Sequence, residues 1–204
     1  MTKGKLFVIS GPSGAGKGTI CKEVRDAERN IRMSVSMTTR APRKGEVDKI
    51  HYHFVDKQAF EALIEEDGFM EYANVYGNFY GTPKKDVIQW LDDGIDVILE
   101  IDVQGALQVK KSYPEGVFIF ILPPSIEELK NRIKARGSET EETMARRLGT
   151  ALQEISLIDQ YDYRVINEDL EVAINRVRAI ITAEQCKLND SEVDRIVRRY
   201  KEEL

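Results

Sequence analysis

The stretch Gly11-Pro12-Ser13-Gly14-Ala15-Gly16-Lys17-Gly18-Thr19 has the residue types and spacing of an anion cradle. Its glycines let the backbone curl until successive N–H groups face one point. A helix starting at the lysine adds the positive end of its dipole. Lys17 then reaches the outer phosphates of a nucleotide. The flanks agree with this reading. An apolar run, Leu6 to Ile9, precedes the turn, and Ile20, Val24 and Ala27 recur at helical spacing after it, so the glycines join a buried strand to a helix. One position departs from the general pattern: Gly18 stands where a Ser or Thr hydroxyl usually binds magnesium, and Thr19 follows. A magnesium shell here must be completed by water, by Thr19 after displacement, or by a distant carboxylate.

A second group lies downstream. The stretch from Ser34 to Glu46 has no helical period and is crowded with hydroxyls, with Arg40 and Arg43 three apart across Pro42. Arginine offers a planar fork to phosphate oxygens. Taken alone the stretch reads equally well as a solvated loop; below a phosphate loop, the anion site leads. Glu71 sits between Phe69 and Tyr72, either as a structural partner or as a double acceptor for adjacent N–H donors such as those of guanine. Tyr76, Tyr80 and Thr82 add hydroxyls nearby. Glu100 and Asp102 end a nearly continuous apolar run, Asp96 to Ile101. Acids at the carboxyl end of a buried strand suit a magnesium or water-positioning site, or a cap on the next helix. From Leu129 to Leu148 charges dominate, and Gly137 divides them into a hairpin with arginines on both arms. Such a flap can close over a transferring phosphoryl group. His51 and His53 share a strand face but lack a third ligand at any usual spacing.

The elements that position these groups follow from periodicity. Buried strands are expected at Leu6–Ser10, Asp96–Ile101, Val117–Leu122 and Tyr163–Asn167. A strand pair is expected at Phe69–Val75 and Asn78–Tyr80, and a shorter strand at Ile50–Val55. Helices start at Lys17, after Asp56, at Thr82-Pro83 and at Ser125 with Glu128. Met144, Leu148, Ala151, Leu152, Ile155 and Ile158 return to core spacing. Leu170, Ala173, Ile174, Val177 and Ile181 mark a last core helix, and Ser191 to Leu204 a separate amphipathic one. The chain has 204 residues, 42% hydrophobic and 32% charged, with net charge −5. That supports one substantial core and argues against a polyanion-coating protein. No apolar run is long enough to span a bilayer. Cys21 and Cys186 form no paired motif and are expected as buried small hydrophobes in a reduced, cytoplasmic compartment.

Four segments together resemble the guanylate kinases: Gly11 to Thr19, Ser34 to Glu46, Gly77-Asn78-Phe79-Tyr80-Gly81-Thr82-Pro83, and Leu99-Glu100-Ile101-Asp102-Val103-Gln104-Gly105-Ala106. The resemblance runs from about Lys5 to Cys186. It implies an α/β fold: a P-loop parallel sheet flanked by helices, with an inserted GMP-binding subdomain and a helical lid. The core would hold 1–33, 84–125 and 157–204, the insert 34–83, and the lid 126–156. It implies that Gly11, Pro12, Ser13, Gly14, Ala15, Gly16, Lys17, Gly18 and Thr19 bind ATP phosphates, with Arg136 near adenine. Ser36, Arg40, Arg43, Tyr52 and Tyr80 would surround the GMP phosphate. Glu71, Ser36 and Thr82 would read guanine, and Asp102 would face the acceptor. Lys17, Arg43, Arg132 and Arg147 would neutralise the transferring group. Magnesium would come with ATP; no side chain is assigned as a direct ligand, and Glu100, Asp102 and Thr19 are candidates through water. The implied substrates are ATP and GMP, with dGMP a candidate second acceptor and no nucleic-acid or membrane partner; oligomeric state stays open. A GTPase switch is the first rival, since Asp102 to Gly105 fits Asp-x-x-Gly. Gly18 and the lack of an Asn/Thr-Lys-x-Asp motif speak against it. A non-enzymatic scaffold domain is the second, against which the intact loop and lysine stand.

Overall fold

The computed structural model describes residues 3–75, 77–135, 140–188 and 190–203. Along the chain lie β1 (Leu6–Ser10), α1 (Lys17–Ala27), β2 (Ile31–Met33), β3 (Met37–Thr38), β4 (His53–Phe54), α2 (Lys57–Glu65), β5 (Phe69–Val75) and β6 (Asn78–Pro83). They are followed by α3 (Lys84–Asp92), β7 (Asp96–Glu100), α4 (Val103–Ser112), β8 (Val117–Leu122), α5 (Ile126–Ala135), α6 (Glu141–Ile155), β9 (Tyr163–Ile166), α7 (Leu170–Gln185) and α8 (Asp190–Glu202).

Two sheets form. The first is parallel throughout, in the order β2-β7-β1-β8-β9. Side chains alternate across a strand, so β1 feeds two cores. Phe7 and Ile9 join Ile20, Val24 and Val177 from α1 and α7. Leu6 and Val8 join Val87, Leu91 and Val109 from α3 and α4. Burial on both faces explains why these strands read as unbroken apolar runs. The order turns about β1, and β1 and β7 end side by side, Ile9 opposite Glu100. A crevice at the carboxyl ends of such strands is the expected ligand position in an open α/β sheet.

The second sheet, β4-β3-β6-β5, is inserted between β2 and α3. Its small core is aromatic: Phe60 of α2 stacks on Phe69 at 4.3 Å and on Phe79 at 5.3 Å between centroids. The sheet is tied to the first layer through α4, where the Gln108 amide donates to the Tyr72 carbonyl at 3.1 Å and accepts from its N–H at 3.2 Å. A third apolar cluster, Leu129, Ile133, Met144 and Ala151, joins α5 to α6.

Several local expectations change. The helix expected at Thr82-Pro83 starts at Lys84, because β6 runs through Pro83, which becomes the N-cap. Thr82 is held in β6 opposite Glu71, to which it donates its hydroxyl at 2.7 Å, and α3 starts without a side-chain cap. The strand expected over Ile50–Val55 shrinks to His53–Phe54. His51 lies in the preceding turn, its Nδ1 accepting the Val47 N–H at 3.0 Å. Ser125 caps through the Glu128 N–H at 3.0 Å, but the Glu128 carboxylate takes Arg132 at 2.9 Å, so the reciprocal half of the box is not made. Leu152 is exposed on α6, and Cys186 is exposed just past α7 while Cys21 is buried. β2 was not expected at all; three residues are too few to display alternation.

Candidate active site

Two clefts open at the carboxyl end of β7. The first, about 290 Å³, is lined by the glycine loop, Lys17, Glu100, Asp102 and Glu154. The second, about 240 Å³, is lined by Ser36, Tyr52, Glu71, Tyr80 and residues around them. Glu100, Ile101 and Asp102 belong to both walls. The first cleft is therefore separated from the second by no more than the end of one strand.

In the first cleft, Gly16 caps α1 at φ 96°, a left-handed conformation that glycine adopts without strain. The Lys17 ammonium donates to the Gly11 carbonyl at 2.6 Å and the Pro12 carbonyl at 3.2 Å. Burial pulls its pKa below the ordinary value, against the opposing pull of Glu100 and Glu154. Ser13, exposed on the rim, receives Arg147 Nη2 from α6 at 2.9 Å. Burial likewise raises the Glu154 carboxyl. Glu154 was not visible in the sequence, where it is one acid in a charged helix.

In the second cleft, Glu71 is buried and accepts the Thr82 hydroxyl. Burial pushes its carboxyl up to about 7; the nearby Asp102 charge adds to this and the Thr82 hydrogen bonds oppose it. Gly105 makes this approach feasible, since a Cβ there would sit 2.8 Å from Glu71 Oε2. Thr82 itself lies behind Glu71, almost fully buried, rather than on the cleft wall. Asp102 also caps α4, accepting the Gly105 N–H at 2.8 Å, so both readings of this acid hold.

The arginines lie farther out. Arg40 makes a two-pronged bond to Glu46, both contacts at 2.7 Å, and packs on Tyr52 and Phe54. Arg40 and the Arg43 N–H hold the Glu46 carboxyl down at about 2. Glu46 thus pins the turn that carries both arginines, a role the sequence signalled only as an acid closing an arginine-rich loop. The Arg43 side chain is exposed. Arg132 donates to Glu128 and to the Asn167 carbonyl at 3.0 Å. Arg136 and Tyr76 lie outside the described residues.

The acids near Lys17 bear on magnesium. A Cβ on Gly18 would lie 3.3 Å from Glu100 Oε1, so the glycine opens the loop's mouth to this carboxylate. Among the described residues no three His, Cys, Asp or Glu side chains gather into a metal cage. Dispersed carboxylates fit a magnesium ion that keeps most of its waters and takes other oxygens from phosphate.

The guanylate kinase family profile matches residues 3–184. The chain belongs to the guanylate kinase family. It is 56% identical over 187 residues to a guanylate kinase of Carboxydothermus hydrogenoformans, covering 92% of each chain. It is 52% identical to that of Clostridioides difficile, covering 99% of this chain and 98% of the other. The crystal structure of a guanylate kinase from Anaplasma phagocytophilum superposes with a TM-score of 0.75 at 39% identity, over 91% of this chain and 88% of that one. The guanylate kinase profile ends inside α7, leaving α8 beyond it.

Proposed function

We propose that the chain transfers the terminal phosphate of ATP to GMP, giving ADP and GDP. The observation that carries this is the shared wall of the two clefts at Glu100, Ile101 and Asp102. ATP phosphates lie on the loop from Gly11 to Thr19, and guanine faces Glu71. GMP then presents its phosphate oxygen in line with the terminal phosphate of ATP, with no covalent protein intermediate. Glu71, ionised on binding, accepts the ring N–H and the exocyclic amine of guanine while Thr82 steadies it. Ser36, Tyr52 and Tyr80 complete that cleft, and Arg40 and Arg43 bring positive charge to the GMP phosphate. Lys17, Arg43, Arg132 and Arg147 neutralise the transferring group, in a site from which water is excluded.

Glu100 and Asp102, which line the first cleft, and Thr19 would hold a magnesium ion through water; such an ion, brought with ATP, would supply neutralisation of phosphate charge. Residues 34–83 form the GMP-binding subdomain and 126–156 the lid, a division supported by the separate sheet and the separate α5–α6 cluster. Cytoplasmic residence belongs to the same reading; the exposed Cys186 thiol suits a reducing compartment.

A coupled assay of ADP release with AMP, GMP, CMP and UMP as acceptors tests the proposal. GMP is expected to exceed the others by at least about a hundredfold in kcat/KM, because a site built to accept two N–H bonds rejects bases that lack them. Comparable turnover with AMP would remove Glu71 from base recognition.

A further inference from the structure

Asn167 follows β9, is only 5% exposed, and belongs to none of the motif segments. It makes three long-range bonds. Its amide Nδ2 donates to the Ala15 carbonyl at 2.8 Å. Its N–H donates to the Leu122 carbonyl at 2.8 Å. Its own carbonyl accepts Arg132 Nη2 at 3.0 Å. One residue thereby joins the phosphate loop, the end of β8 and an arginine of α5.

The bond to Ala15 acts through peptide geometry. In a planar trans peptide the C=O of one residue and the N–H of the next point in opposite directions. The Ala15 carbonyl is drawn out to Asn167, so the Gly16 N–H is turned away from Asn167, and Gly16 itself lines the cleft with Gly14 and Lys17. Among the described residues no protein oxygen accepts that N–H. The amide packs directly on the loop, since a Cβ at Gly16 would lie 2.3 Å from Asn167 Nδ2. Were this peptide to flip, a carbonyl oxygen would face the cleft, presenting an acceptor to an anion in place of a donor.

We propose that Asn167 is a positioning residue for the triphosphate: it locks the Ala15–Gly16 peptide with its N–H toward the anion, and its main-chain carbonyl seats Arg132 beside the same loop. The proposal rests on the reading of the first cleft as the phosphate-donor site.

Asn167→Ala and Asn167→Asp test it. Alanine removes the donor, and aspartate sets an acceptor against the Ala15 carbonyl. Both leave the main-chain bond to Arg132 in place. Calorimetry is expected to give Kd values for ATP, and for inorganic tripolyphosphate as a probe without a base, that rise in parallel. The rise is about tenfold for alanine, from loss of one buried hydrogen bond, and larger for aspartate. The Kd for GMP should stay within about twofold. Weakened ATP with unchanged tripolyphosphate would assign Asn167 to the nucleoside and overturn the proposal. Equal weakening of ATP, tripolyphosphate and GMP would reduce it to structural support. Amide NMR on the unsubstituted protein gives an independent arm: the Gly16 N–H must shift when tripolyphosphate is added, and an unmoved resonance overturns the lock. If the unsubstituted protein binds no tripolyphosphate at all, the phosphate-cleft reading fails first, a result distinct from variants that bind as well as the parent.

Discussion

Glu71 combines a buried carboxyl, a hydroxyl donor from Thr82 and a neighbouring charge on Asp102. Its carboxyl, pushed up to about 7, is mostly protonated in mildly acid solution. Guanine offers two donors and selects the ionised form, so GMP binding must expel a proton. The apparent Kd for GMP is therefore expected to rise as pH falls through 7, approaching tenfold per pH unit below it. The GMP phosphate also titrates near pH 6, which Glu71→Gln controls for: that variant should bind GMP at least about tenfold more weakly at pH 8 and lose the slope centred near 7. An unchanged slope in the variant would assign the whole effect to the ligand. Stability has the opposite sign. A carboxyl whose folded pKa is raised above its usual 4.5 favours the protonated fold, so its stabilising share is full below 4.5 and is lost as pH rises through about 7. Glu71→Gln should thus melt higher than the parent at pH 8. Lys17 and Glu71 were legible as residues because local spacing or unusual company marked them. Asn167 and Glu154 were not, because each meets the phosphate loop only through the fold, and their local sequences are an ordinary strand end and a charged helix.

Elements announce themselves where one force dominates. β1, β7 and β8 are buried on both faces and read as apolar runs, while Asp56, Thr140 and Asp169 cap α2, α6 and α7 through their side chains. Thr82-Pro83 misled because a cap and a strand end use the same residues; pairing of β6 with β5 and the call of Glu71 for a donor outweighed a local helix start. At the junction of β7 and α4 one side chain serves two ends. Asp102 accepts the Gly105 N–H to start α4 and lines both clefts. Substitutions separate the roles. Asp102→Asn keeps an acceptor oxygen for the cap, so Tm should hold within about 1 °C while kcat/KM for GMP falls at least about tenfold. Asp102→Ala loses the cap as well, at a cost of about 1 kcal/mol, or about 2–4 °C in a chain of this size. Full turnover in Asp102→Asn, measured beside its melting curve, would leave Asp102 a cap and nothing more.

At the scale of the molecule the charges are not yet gathered. Of the four cations assigned to the transferring phosphate, Lys17 alone lines the first cleft; Arg43 sits on an exposed turn of the second sheet, Arg132 is engaged by Glu128 and Asn167, and Arg147 reaches the rim at Ser13. Charge stabilisation falls off with distance and with water between the groups; Arg132 and Arg147 are already bonded at or next to the phosphate loop, so it is the second sheet, with Arg43, that must approach for all four to act. The connections allow it. The inserted sheet enters from β2 and leaves through β6 into α3; its polar ties to the core helices include the Gln108 clasp on Tyr72 and the Lys84 ammonium on Asp67, both at the end nearest the first sheet, while the turn that carries Arg43 lies exposed. Each substrate brings phosphate charge that favours approach, and the approach excludes the water that would otherwise attack ATP. Small-angle scattering should show the radius of gyration falling when GMP is added, and falling further with GMP and a non-hydrolysable ATP analogue together. ATP hydrolysis without GMP should run at no more than about one-hundredth of the transfer rate, since the cations that stabilise the transferring group are then incompletely assembled. A radius unchanged by both ligands, in a protein that still turns over, would mean that Lys17 and the shared wall suffice without the approach of Arg43.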